Sequence, residues 1–224
     1  MPKKKPKNKI PLIPAFHIFC EGEKTEPYYI RGYIDNYHSE NKNLLLVEDT
    51  KKNTPVQLVE VAIDHKKTTT KDDIYWVVFD RESTVKYSNE LHLKARNLAN
   101  KNNIEIAFSN VCFELWLLLH MEYSAVSYDC CDDLLKNSKL KSLLRDRGIK
   151  DYDKGFALLF DTLKNKDGVS NAMKNSDKLR KFVLAGAEQG KEQPHQINPY
   201  MDVQDMFTDM ENFINGDPSI RKVG

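Results

Sequence analysis

Nowhere in this 224-residue chain does an apolar run approach the roughly 20 residues that cross a bilayer as a helix. The sequence therefore offers no membrane partner. A basic start is followed by Ile10–Cys20, but Pro11, Pro14 and His17 break that run and no small-residue cleavage site follows. Secretory targeting is not expected. Cysteine is sparse: Cys20, Cys112, Cys130 and Cys131 show no C-x-x-C spacing. Cys20 and Cys112 sit inside apolar runs, where a free thiol acts as a small hydrophobe, so reduced thiols and a cytoplasmic location are expected. Charge of one sign is missing too. The formal net charge is +1, so no bulk basic field announces a nucleic-acid partner, which would need a local patch. There is no internal repeat, helix-turn-helix or RNA-binding signature.

What is present is charge in quantity (30% Asp, Glu, Lys and Arg) and apolar residues gathered in blocks, the pattern of a folded core under a well-solvated surface. Residues 1–9, rich in lysine, read as a disordered basic tail. Phe16–Cys20, Leu44–Val47, Ile74–Phe79 and Ile104–Phe108 read as strands. The third is apolar throughout, as expected of a central parallel strand covered on both faces. Helical patterns lie between them: Tyr28–Tyr37 with Thr25 as N-cap, a segment capped by Thr54 with Pro55 at its first position, and Leu91–Asn100. Strands alternating with helices predict an α/β fold, a mostly parallel sheet with helices on both faces. Val111–Met121 is an apolar helix candidate. Leu134–Leu144, Phe156–Leu163, Leu179–Ala187 and Val203–Ile214 then carry helical periodicity. The expected division is an α/β domain over 10–122 and a helical region over 123–224, with a shared core left open.

Chemistry gathers where strands end. Glu21 follows the first strand directly, and Gly22 permits a positive φ or a close backbone approach. Asp80 and Glu82 close the third strand at i, i+2 spacing. Carboxylate oxygens at neighbouring strand ends suit Mg²⁺ or Mn²⁺, and ligand sites of open α/β sheets lie at the carboxyl ends of strands. The competing reading is a solvated strand exit. Glu23 reads as surface or as a base, and Glu26 as an acid favouring a helix N-terminus. Lys24 and Arg81 are candidates for phosphate contacts. Glu114, at the start of an apolar helix, is a metal ligand, a base or a dipole-complementing acid. His120 lies six residues on, on a different flank of the helix, and is secondary. Asp80→Ala is expected to open no core cavity and to relieve like-charge repulsion, so the metal-free variant should melt at or above the wild-type temperature.

Three blocks taken together, Phe16–Tyr29 (Cys-Glu-Gly-Glu-Lys-Thr-Glu-Pro-Tyr-Tyr), Val77–Glu82 (Val-Val-Phe-Asp-Arg-Glu) and Ser109–His120, with a weaker one at Asn198–Pro199–Tyr200 and Asp202–Val203, resemble the RloB-like family and with it the Toprim (topoisomerase–primase) fold. The resemblance implies Mg²⁺ held by Glu21, Asp80 and Glu82. It also implies a nuclease acting on DNA or RNA, with Glu114 assisting, in bacterial anti-phage defence beside partner proteins of a defence locus. The alternative is a non-catalytic metal- or nucleotide-binding module with a regulatory or assembly role. Two departures stand out: Glu82 replaces an aspartate, and Val111 replaces the proline expected after Ser109–Asn110.

Overall fold

The computed structural model describes residues 13–51, 54–164 and 167–216. The basic segment 1–9 lies outside the described residues. Five strands form one sheet in the order β2-β1-β3-β4-β5. They are β1 (Phe16–Cys20), β2 (Leu45–Val47), β3 (Ile74–Asp80), β4 (Glu105–Asn110) and β5 (Tyr200–Met201). The first four are parallel and β5 runs antiparallel to β4. The all-apolar run therefore lies between β1 and β4, as expected of a strand covered on both faces. The fold is a mixed α/β, Rossmann-like architecture.

Side-chain alternation divides the core. Phe16, Ile18, Trp76, Val78 and Ala107 point to one face, and Phe19, Tyr75, Val77, Phe79 and Phe108 to the other. The second face is covered by α2 (Pro55–Lys66) and α3 (Asn89–Lys101). Thr54 caps α2 in a reciprocal box with Gln57, as its Thr-Pro start implies, and Ser88 caps α3.

The first face is covered by α1 (Thr25–Tyr37), α4 (Glu114–Leu119), α5 (Cys131–Asn137), α6 (Leu140–Arg145), α7 (Leu159–Leu163), α8 (Gly168–Ala185) and α9 (Val203–Ile214). Residues beyond 122 thus share a core with the sheet and supply its fifth strand. Tyr29 shows how: its ring meets Phe113, Trp116, Phe160 and Phe207 edge-on at centroid distances of 5.6, 6.3, 5.1 and 5.9 Å. Edge-to-face pairs of this kind add about 0.5–1.5 kcal/mol each beyond area burial.

Several local expectations change. Val111–Met121 is not one helix: β4 runs on to Asn110, the Asn110–Val111 peptide is cis, and α4 begins only at Glu114. Leu134–Leu144 is split because Ser138 adopts an extended backbone and its hydroxyl accepts from the Leu140 amide at 3.1 Å. Helix α8 starts at Gly168, well before Leu179. Thr25 lies inside α1, where its hydroxyl donates to the Lys154 carbonyl at 2.9 Å.

Candidate functional site

The carboxyl ends of β1 and β3 and the start of α4 open onto one cleft of about 320 Å³, lined by Glu21, Gly22, Glu23, Lys24, Thr25, Glu26, Asp80, Glu82, Glu114 and Lys154. Parallel pairing aligns Cys20 with Val78 and Phe79 with Phe108. The residues just past each strand therefore emerge at the same sheet edge. Glu21, Glu26, Asp80 and Glu114 are all buried there.

Glu21 is held between two donors, the Tyr87 hydroxyl at 3.0 Å and the Asp80 amide at 3.3 Å. Burial nevertheless pushes its pKa up to about 7. Asp80 accepts from the Phe113 amide through Oδ2 at 3.1 Å, while its buried Oδ1 has no hydrogen-bond partner. Burial, then the charges of Glu26, Glu114 and Glu21, raise the Asp80 pKa well above the usual carboxylate range. Glu26 does more than face a helix N-terminus. It is buried in the cleft, and burial with the nearby Glu114 pushes it up to about 7. Gly22 provides the room: a β-carbon on it would stand 2.5 Å from Glu26 Oε2. Close approach, not positive φ, is what this glycine supplies.

Glu82 reaches the same cleft by a turn. Strand β3 ends at Asp80, and Glu82 takes a left-handed backbone with φ 59°. Its Oε1 lies 2.6 Å from Lys86 Nζ. Glu114 is fixed by three groups: the Cys131 thiol at 3.1 Å, the Tyr152 hydroxyl at 3.3 Å and Lys154 Nζ at 3.7 Å. Cys112, Glu114 and Cys131 offer ligand atoms within 4.8 Å of one another. Burial raises the Cys112 pKa, so without a metal this thiol stays protonated. Lys24 stands exposed on the rim, with no ion pair among the described residues.

Two sequence candidates lie elsewhere. Arg81 points away from the cleft. Its guanidinium donates to the carbonyls of His195, Ser83 and Tyr87 and to Asn89 Oδ1, at 2.5–3.2 Å. It ties the loop after β3 to the His195 turn and to the start of α3, and these bonds compete with the expected phosphate contact. His120 is a core residue. Its Nδ1 faces the Trp116 carbonyl at 2.8 Å and so carries the proton, leaving Nε2 to accept from Tyr29 at 2.7 Å. Burial lowers its pKa to about 4.

Tyr87, Tyr152 and Lys154 escaped the sequence reading. They lie in polar loops without periodicity, and no spacing ties them to the strand ends. Glu26 read from the sequence as a helix-terminus acid, and its place in the cleft shows only in the folded chain.

The fold and cleft define a Rossmann-like α/β protein with an acidic pocket at the carboxyl ends of its parallel strands. The chain belongs to the RloB-like protein family, whose model matches residues 16–215. No curated protein and no solved structure matches it significantly.

Proposed function

We propose that the chain is a Toprim-like, Mg²⁺- or Mn²⁺-dependent nuclease of bacterial anti-phage defence, working in the cytoplasm on DNA or RNA. Family membership supports the class. The observation that carries the chemistry is the gathering of four buried carboxylates around one cleft, with an Asp80 oxygen left without a protein partner. Hard oxygen donors in that number suit a small divalent cation, which takes one or two carboxylates and completes its shell with water and substrate phosphate. Glu21, Asp80 and Glu82 would hold it, with Glu26 within the same cleft. Their oxygens do not stand within 4.8 Å of one another as a group, and Glu82 is paired with Lys86, so holding an ion requires these side chains to close in. When bound, a divalent ion polarises the scissile phosphate and lowers the pKa of an attacking water.

The chain's own groups do the rest. Lys24 on the open rim offsets phosphate charge as the strand enters. Tyr87 and the Asp80 amide orient Glu21, and the Phe113 amide orients Asp80, so both carboxylates are set before substrate arrives. Lys154, Tyr152 and Cys131 hold Glu114 in place. Among the described residues no helix is long and apolar enough to cross a membrane.

The test is cleavage of DNA and RNA by the purified chain with Mg²⁺ or Mn²⁺, beside Glu21→Gln. Cation-dependent cleavage lost in the variant is the expected result. Cation binding at the cleft without cleavage of either polymer would replace this proposal with the non-catalytic binding module.

A further inference from the structure

A second cluster of metal-ligating side chains lies away from the cleft, on the α2 side of the β1–β2 edge. His17 is on β1, Glu48 directly follows β2, and His65 is in the last turn of α2. Ligand atoms of the three fall within 4.8 Å of one another. Glu48 Oε1 sits between the rings, 2.7 Å from His17 Nδ1 and 3.7 Å from His65 Nε2. None of the three lines the acidic cleft. His17 is four residues before Glu21 on an extended strand, about 13 Å away. We propose that His17, Glu48 and His65 form a zinc site of two imidazoles and one carboxylate, with its fourth position open to solvent, joining β2 and the end of α2 to β1.

Four observations support this. The donor set is the nitrogen-and-carboxylate combination that Zn²⁺ accepts at about 2.0–2.2 Å, and ligands in a tetrahedral shell then stand roughly 3.3 Å apart. The spacings of Glu48 Oε1 from the two ring nitrogens, 2.7 and 3.7 Å, bracket that value. The inward nitrogens, His17 Nδ1 and His65 Nε2, both face Glu48 Oε1, and the outer ones, His17 Nε2 and His65 Nδ1, have no hydrogen-bond partner that would commit either ring elsewhere. Asp73 Oδ2 lies 3.4 Å from His17 Nε2, not hydrogen-bonded to it here but placed to take that N–H once Nδ1 is given to a metal. Finally, access is graded: the His17 side chain is 5% exposed, Glu48 25% and His65 31%, giving a rigid inner ligand and an entry path. Tyr75 stacks on His17 at 4.9 Å and Phe19 meets His65 at 5.5 Å, walling the site with rings.

The test uses the full, tag-free chain carrying Asp80→Asn and Cys131→Ser, which removes one ligand from each metal-binding group of the acidic cleft. After chelation, Zn²⁺ alone is titrated calorimetrically, and Co²⁺ is added as a spectroscopic probe. One equivalent of Zn²⁺ should bind and raise the melting temperature, and Co²⁺ should give the visible absorption of a four-coordinate site. Adding His65→Ala should weaken Zn²⁺ at least tenfold and abolish that absorption. Glu48→Gln, which keeps shape and hydrogen-bonding capacity, should do the same and decides the matter if His65→Ala does not fold. Unchanged Zn²⁺ affinity in the folded variant, or no binding to the parent, would overturn the proposal and leave an ordinary polar cluster. Either result is independent of whether the cleft cleaves nucleic acid.

Discussion

Replacing Asp80 separates its structural from its chemical role, because its two oxygens do different things. Oδ2 accepts from the buried Phe113 amide at 3.1 Å, and Oδ1 has no partner. Asp80→Ala strands that amide, and an unsatisfied buried donor costs about 1–3 kcal/mol. For a chain of this size, each kcal/mol moves the melting temperature by about 2–4 °C, so a fall of about 2–12 °C is expected. The expectation that alanine would melt at or above wild type is thereby corrected. Relief of repulsion works the other way, because burial and the neighbouring charges of Glu26, Glu114 and Glu21 raise the Asp80 pKa, but it leaves the stranded amide unpaired. Asp80→Asn keeps an Oδ acceptor for the Phe113 amide, so it should melt closer to wild type than the alanine does. The sign with pH follows from linkage. A carboxyl whose folded pKa is raised destabilises the fold as pH climbs through it, so asparagine should gain on wild type as pH rises. Thermal scans over a pH series, with and without Mg²⁺, read all of this. Mg²⁺ should raise the wild-type midpoint and neither variant's. An Asp80→Asn variant as unstable as the alanine, or one still stabilised by Mg²⁺, would refute the reasoning.

Other consequences are as direct. Cation affinity should rise with pH through about pH 7 and level off only above about pH 8, because Glu21 and Glu26, both pushed up to about 7, exchange protons for the ion; Mn²⁺ calorimetry in buffers of differing ionisation enthalpy should show proton release, and a flat profile would count against these ligands. Gly22→Ala should displace the Glu26 carboxylate, which its β-carbon would approach to 2.5 Å, lowering Mn²⁺ affinity with little change in the urea midpoint. Arg81→Met should cost about 3 kcal/mol or more by leaving three loop carbonyls without their donor, seen in urea titration; a stable variant with weakened nucleic-acid binding would restore the phosphate role. Tyr29→Phe should cost about 1–3 kcal/mol by removing the donor that buried His120 Nε2 has among the described residues.

The parallel sheet was legible because its strands carry strong local signals: a fully apolar third strand, Thr-Pro at the start of α2, and acids at two strand ends. Two kinds of feature were not. One depends on partners far apart in the chain. Arg81 read as a phosphate contact because nothing local reveals that carbonyls at 83, 87 and 195 converge on it. The other is too short for periodicity to register. Strand β5 has two residues, and it is secured by side chains: Asn110 donates to the Ile197 carbonyl at 2.6 Å, and Asp202 accepts from the buried Phe108 amide. The Asn198–Asp202 block thus closes the sheet edge. At the site, Glu21, Asp80, Glu82, Glu114 and Lys24 do share a cleft, but Glu26 and Lys154 needed the folded chain to be seen.

That late-arriving Lys154 shows why the helical half belongs to the site. It comes from the loop before α7, and the Thr25 hydroxyl grips its carbonyl from the first turn of α1. Burial alone would lower its pKa, but the Glu114 carboxylate outweighs this and raises it, so the ammonium is a permanent positive charge in the cleft. One ammonium facing four buried carboxylates leaves an uncompensated excess of negative charge. In a partly dehydrated cleft such an excess is neutralised either by protons, as the raised Glu21, Glu26 and Asp80 indicate, or by cations. Replacing Lys154 by methionine should therefore make the cleft hold more protons at neutral pH. It should also strengthen divalent binding once those protons have been titrated away, above about pH 8. A lysine serving only to brace Glu114 would instead weaken divalent binding at every pH when removed.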